Sequence, residues 1–168
     1  MPVIRELNAD DVIAIPAVDG GPAWHGGPAK WAAYWDEHSQ GLRACFVAAE
    51  DDRIVGYASL VWRSQYDAFA AAGVPEIQDM VVAEACRGRG VATALAAACE
   101  ARAVAEGRAE IGIGFGLYAD YGAAQRLYVR LGYIPDGGGL TWNNQPVTPG
   151  AMVRVDDDLV LWLRKRLG

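Results

Sequence analysis

Sulfur and imidazole are scarce in this chain of 168 residues, which has three cysteines and two histidines. Cys45, Cys86 and Cys99 form no CxxC pair, and His25 and His38 add too little to complete a zinc site, so no metal is expected. The thiols read as reduced and buried, Cys86 beside Arg87 being the one a neighbour could activate. Long apolar runs are also missing: none approaches the ~18 residues of a membrane span. The first residues, MPVIRELNADD, carry charge where a secretory signal keeps its apolar core, so a cytoplasmic protein is expected. Excess positive charge is absent as well. Fifteen Lys and Arg against twenty-one Asp and Glu leave a net charge of −6, which argues against nucleic acid or an anionic membrane as the main partner. What the chain does have is 52% hydrophobic residues, enough to exclude disorder and to build one core, and the length fits a single domain over residues 1–168.

Spacing sets out the elements. Val3 to Leu7 reads as a first strand, followed by Asn8 as an N-cap and a short helix with Asp10 and Asp11 in its first turn. Two Gly-Gly-Pro turns lead to a helix whose Trp31, Tyr34, Trp35 and His38 form one stripe. Ala44–Ala49 and Ile54–Trp62 read as a hairpin across a polar turn. Ser64 to Gly73 reads as a helical turn or lid, and Glu76–Val82 as the next strand. Val91, Leu95, Cys99 and Ala103 recur once per helical turn until Gly107. Ile111, Ile113, Phe115 and Leu117 alternate with glycines, a strand that something approaches closely. Asp120–Leu131 reads as a helix, Tyr133–Pro135 opens another strand, and Leu159–Leu163 is the last. Helices and strands mix without strict alternation, which predicts an α+β or mixed α/β fold.

The most informative stretch joins strand to helix through Cys86-Arg87-Gly88-Arg89-Gly90-Val91-Ala92-Thr93. The first N–H groups of a helix lack internal partners and carry partial positive charge. Glycines ahead of them let a phosphate come into contact, and two arginines add charged donors on an otherwise acidic chain. The ligand expected here is a small anion. No Gly-Lys-Ser/Thr follows, which excludes a P-loop, and Thr93 stands where a dinucleotide fingerprint needs its third glycine.

Arg87-Gly88-Arg89-Gly90-Val91-Ala92 resembles the Arg/Gln-x-x-Gly-x-Gly/Ala signature of the GCN5-related N-acetyltransferase (GNAT) superfamily. Ala124-Gln125-Arg126-Leu127-Tyr128-Val129-Arg130-Leu131-Gly132-Tyr133 resembles that family's second hallmark, Ala-x-x-Leu-Tyr-x-x-x-Gly-Phe/Tyr. The two stand in the family's order, one strand apart, and the resemblance is strongest over residues 76–136. It implies a central mixed, mostly antiparallel sheet of about six or seven strands, splayed between the fourth and fifth and flanked by about four helices. It also implies acetyl-CoA as co-substrate. The backbone at Val81 and Val82 would pair with the pantetheine arm. Amides of Gly88, Arg89, Gly90, Val91 and Ala92 would hold the pyrophosphate, with Arg87 and Thr93 completing the site. Gly112, Gly114 and Gly116 fit a strand lying beside that cofactor. The family often has Asn three residues before the motif alanine, where this chain has Tyr121.

Acetyl transfer to an amine needs a neutral nitrogen and a proton for the departing thiolate, and an alkylamine at neutral pH is mostly protonated, with a pKa of ~10.4. Asp79 and Glu76, on the motif strand, are the candidate bases. Alternation puts them on opposite faces unless a bulge intervenes, and Asp79 is favoured because it stands among apolar residues where a charge needs a purpose. Tyr128 stands at the family's general-acid position and would protonate the coenzyme A sulfur. Trp24, Asp67, Asp120 and Asp157 are candidate acceptor contacts, and acidic groups gathered there would favour a small cationic amine such as an aminoglycoside, polyamine or basic peptide. The plain alternative is a solvated acidic surface. Leu159–Leu163 offers an edge on which two copies could pair as a homodimer. Two other readings compete: a non-catalytic acyl-CoA-binding sensor, and a nucleotide-binding oxidoreductase.

Overall fold

The computed structural model describes residues 2–15 and 26–168; Trp24 and His25 lie outside them. In chain order the strands are β1 (Val3–Glu6), β2 (Arg43–Glu50), β3 (Arg53–Val61), β4 (Glu76–Val82), β5 (Glu110–Gly116), β6 (Ile134–Trp142), β7 (Gln145–Pro146) and β8 (Leu159–Arg166). The helices are α1 (Asp11–Ala14), α2 (Pro28–Ser39), α3 (Asp67–Ala72), α4 (Val91–Ala105) and α5 (Gly122–Arg130). The class is therefore the expected mixed α/β one, with eight strands among the described residues where six or seven were expected; the two-residue β7 is an addition. The chain forms two compact units: Met1–Val61 with Ile77–Arg102, and Trp62–Glu76 with Ala103–Gly168.

In the first unit the strand order is β1-β2-β3-β4. β2 pairs antiparallel with β1 and with β3. The β2–β3 turn is a two-residue loop in which Asp51 and Asp52 both take positive φ, 49° and 61°. That is the turn whose twist matches a hairpin, and Asp tolerates it better than most residues. Both faces of β2 are covered. On one, Cys45 and Val47 join Leu7, Ile15, Trp31, Ile54 and Tyr57 in a core, with Trp31 edge-on to Tyr57 at 4.7 Å. The stripe read from α2 thus buries Trp31, while Tyr34 and Trp35 pack at the margin of that core. Val91, Leu95, Cys99 and Ala103 of α4 are all buried, as their spacing predicts. Gly56 in β3 makes that helix fit: a Cβ there would come 3.0 Å from the Val81 carbonyl oxygen and 3.2 Å from Val91.

In the second unit the order is β5-β8-β6-β7. β8 pairs antiparallel on both sides, with β5 and with β6. Leu159–Leu163 is therefore no edge, and the expectation that two copies pair along it is corrected: its hydrogen bonds are already used. The segment before β4 is helical, as α3, and brings Tyr66 and Phe69 into a cluster with Val74 and Trp162. Tyr66 stacks on Trp162 at 4.4 Å and donates to Asp136 at 2.8 Å.

The glycines of β5 also receive a different explanation from the expected one. Gly114 faces Trp162 across the β5–β8 pair, and a Cβ on it would lie 2.7 Å from Val160 and 2.8 Å from the Trp162 ring. A Cβ on Gly112 would collide with the Phe69 ring, and one on Gly116 with the Tyr121 ring. These positions are small because the unit's own aromatic side chains cross them, which satisfies the close approach without a cofactor.

Candidate active site

The loop between β4 and α4 has the form its sequence predicts. Glu84–Cys86 makes one tight turn. Gly88 and Gly90 follow with φ of 75° and 83°, the left-handed region that glycine enters at no steric cost. A Cβ at either position would find open space, so their smallness answers to backbone conformation and not to packing. The Gly90 carbonyl accepts from the Ala94 amide at 3.0 Å, which opens α4, a helix of 15 residues. The amides of its first turn point back along the axis toward the loop. Val81 and Val82 are half-buried at the end of β4, and the next residue, Ala83, donates its amide to the Val55 carbonyl at 2.9 Å. The arginines differ. Arg87 is exposed and its Nε donates to the Val82 carbonyl at 3.3 Å, whereas Arg89 is paired with Glu50 at 2.6 Å. A phosphate would share the Arg89 charge with that carboxylate.

Asp79 breaks the extended backbone of β4 with a φ of 50°. A non-glycine residue in that region inside a strand marks a bulge, which re-aims its side chain. The carboxylate lies 3.0 Å from Lys30 Nζ and accepts a hydrogen bond from the Tyr34 hydroxyl. Burial, then that hydrogen bond and the Asp79 charge, push the Tyr34 phenol far above its ordinary range, against a smaller opposing pull from Arg43. Tyr34 thus stays a proton donor. Arg43 lies over the Tyr34 ring at 4.0 Å and is itself fixed by Glu37 at 2.6 Å and Ser59 at 2.7 Å. The expectation that Asp79 needs either a partner or a purpose is met by partners on α2. Its side chain is nonetheless 42% exposed, so it is not sealed among the apolar residues beside it in sequence.

In the second unit Glu76 is buried and accepts a hydrogen bond from Ser64 Oγ at 2.5 Å. Ser64 also receives the Tyr66 amide at 2.9 Å, so a single hydroxyl ties the carboxylate to the start of α3. Tyr128 on α5 is buried between Phe115, stacked at 6.3 Å, and Tyr133, edge-on at 6.0 Å. Tyr121, in the place of the family's frequent Asn, lays its ring against Gly116 and donates to Asp157 at 2.9 Å. Gln125 instead reaches the strand end, donating to the Gly116 carbonyl at 3.0 Å. Asp157 also accepts from Tyr118. That hydrogen bond, with the charges of Asp157 and Asp120, raises the Tyr118 phenol. Asp120 and Asp157 therefore share one neighbourhood, while Asp67 lies exposed in the first turn of α3.

Lys30, Tyr57, Ser64 and Gly56 were missed by sequence reasoning. Only Lys30 left a signal, as a cation in the first turn of a helix, where the dipole disfavours one.

The sequence model of the acetyltransferase (GNAT) family matches residues 16–133. No curated protein matches the chain. Among solved structures, a GNAT-family protein from Desulfovibrio desulfuricans superposes with a TM-score of 0.72 at 16% identity, covering 100% of both chains. An N-acetyltransferase from Staphylococcus aureus gives 0.71 at 20% identity, covering 100% of this chain and 99% of its own. An aminoglycoside 6'-N-acetyltransferase complexed with coenzyme A gives 0.66 at 17% identity, covering 98% of this chain and 97% of its own.

Proposed function

Because the chain belongs to the acetyltransferase (GNAT) family, we propose that it moves an acetyl group from acetyl-CoA to the primary amine of a small cationic acceptor, by direct attack in a ternary complex. The observation that carries this reading is the pair of left-handed glycines, Gly88 and Gly90, set immediately before α4. A helix mouth opened by glycines fits a diphosphate, since it offers several N–H donors and a positive dipole end to one anion. The fold is shared with an aminoglycoside 6'-N-acetyltransferase that holds coenzyme A, which supports the same donor here. When bound, acetyl-CoA supplies an activated thioester; everything else falls to the chain.

The amides of Gly88, Arg89, Gly90, Val91 and Ala92 would hold the pyrophosphate, with Arg87 adding an exposed guanidinium, Thr93 closing the loop and the Val81–Val82 backbone lining the arm. Asp79 would hold the acceptor's ammonium and take its proton, a role its exposed carboxylate fits better than the buried, Ser64-bound Glu76. A placed base of this kind contributes about 10²–10⁴-fold, and holding amine and thioester together contributes more. Tyr128 would return a proton to sulfur, a reading that rests on its motif position. Asp120 and Asp157, with the exposed Asp67, would draw a cationic acceptor by their field.

The test is release of coenzyme A thiol from acetyl-CoA across a panel of amines: alkylamines, polyamines, aminoglycosides and N-terminal peptides. Amine-dependent release supports the proposal. Calorimetric titration that finds no binding of acetyl-CoA ends it.

A further inference from the structure

Lys30 has the surroundings of a bound ammonium ion. Its Nζ lies 3.0 Å from an Asp79 carboxylate oxygen and donates to the Tyr57 hydroxyl at 3.3 Å. It stands 5.0, 5.2 and 5.6 Å from the ring centroids of Tyr57, Tyr34 and Trp31. A carboxylate with several aromatic rings within ~6 Å is a cation-recognition site, since each ring adds a negative face to the formal charge. The methylene stem runs past Gly26, where a Cβ would collide with Lys30 Cδ. The glycine thus leaves room for the Lys30 stem on its way to the carboxylate.

Two locally unfavourable choices meet at this contact. Lys30 is in the first turn of α2, where a cation opposes the helix dipole. Asp79 holds a left-handed φ within a strand, a strained choice for a residue with a side chain. A lysine–carboxylate pair with the carboxylate 42% exposed gives little stability in return, because fixing a long stem offsets most of the attraction. The arrangement makes better sense as a ligand site than as a structural pair. Its occupant can also leave cheaply, by side-chain rotation alone.

Resting on the acetyl-transfer reading, we propose that the cage of Trp31, Tyr34, Tyr57 and Asp79 seats the acceptor's ammonium group, and that Lys30 is a displaceable stand-in for it. The group recognised is then a primary ammonium, held by the carboxylate, the Tyr57 hydroxyl and the faces of the rings. Lys30 competes with it, so the apparent affinity for acceptor is reduced by the fraction of time the cage stands open.

The test uses n-butylammonium chloride as probe, with sodium chloride and tetramethylammonium chloride at equal concentration as controls. Thermal unfolding is followed for the native protein, Lys30→Ala, Lys30→Gln, and Lys30→Ala combined with Asp79→Asn. Butylammonium is expected to raise the unfolding midpoint of Lys30→Ala above both salt controls. The native protein should respond only at roughly tenfold higher concentration, and the double variant not at all. Turnover of n-alkylamines by Lys30→Ala should show a KM about three- to tenfold lower, with acetyl-CoA affinity unchanged. Lys30→Gln gives the same comparison if the alanine variant does not fold. Neither lysine variant responding to butylammonium beyond the salt controls overturns the proposal. Acetyl-CoA titration is read separately. Binding of acetyl-CoA without a butylammonium response sinks the cage and spares the transfer reading; a butylammonium response without acetyl-CoA binding sinks the transfer reading and the acceptor role with it, and leaves an ammonium site only.

Discussion

The Tyr128 ring packs against those of Phe115 and Tyr133. Replacing it with Phe keeps the ring packing and removes only the proton donor. Turnover is expected to fall at least about tenfold, the low end for a lost acid–base group, while acetyl-CoA affinity, read by calorimetry, changes little. An unchanged kcat removes Tyr128 from the acid role. Motif position pointed to Tyr128, while the motif strand offered both Asp79 and Glu76, and the apolar neighbours of Asp79 in sequence favoured it. The partners of Asp79 were another matter. Lys30 and Tyr34 stand on α2, far from β4 in sequence, and only the fold brings those side chains to the carboxylate. Ser64 was hidden for the same reason, since a lone serine in a connecting segment gives no sign of which buried carboxylate it will meet.

At the level of elements, the β4–α4 loop is the part most open to direct attack. Asp placed at both Gly88 and Gly90 would have to adopt φ of 75° and 83° and would set two carboxylates where the proposed function seats a diphosphate. Like charges so close cost on the order of several kcal/mol, so acetyl-CoA binding is expected to vanish in calorimetry. The fold should survive with a loss of about 1–2 kcal/mol per residue for the left-handed backbone, read from chemical denaturation. Retained binding would dissociate the glycines from the cofactor. This element was legible because everything that defines it is contiguous: strand end, glycines, helix start. The glycines of β5 were legible only as a pattern. Their alternation correctly announced a close approach, but the approaching groups come from α3, β8 and the segment before α5, and a sequence does not say which side chain will cross which strand.

For the whole molecule, the aromatic content gives a pH limit. The Tyr66 phenol is pushed up to about 12, first by burial and then by its hydrogen bond to Asp136. Burial also raises Tyr34 and Tyr57. An acid whose pKa is higher folded than unfolded, where it is ~10, stabilises the fold fully below pH ~10. That contribution is lost as pH rises from there through about 12. Phenolate absorbance and circular dichroism followed together should therefore show at least three of the seven tyrosines ionising only as the protein unfolds. Titration of all seven near pH ~10 with native dichroism intact would contradict this. The sequence by itself determined the mixed class, the helix faces of α4 and the form of the glycine loop before it, because each rests on local spacing and on groups that are neighbours in the chain. Only tertiary structure decided that β8 is interior, that the β5 glycines admit the protein's own rings, and that Asp79 already holds a cation. Those outcomes depend on which distant segments meet, and no local pattern encodes such meetings.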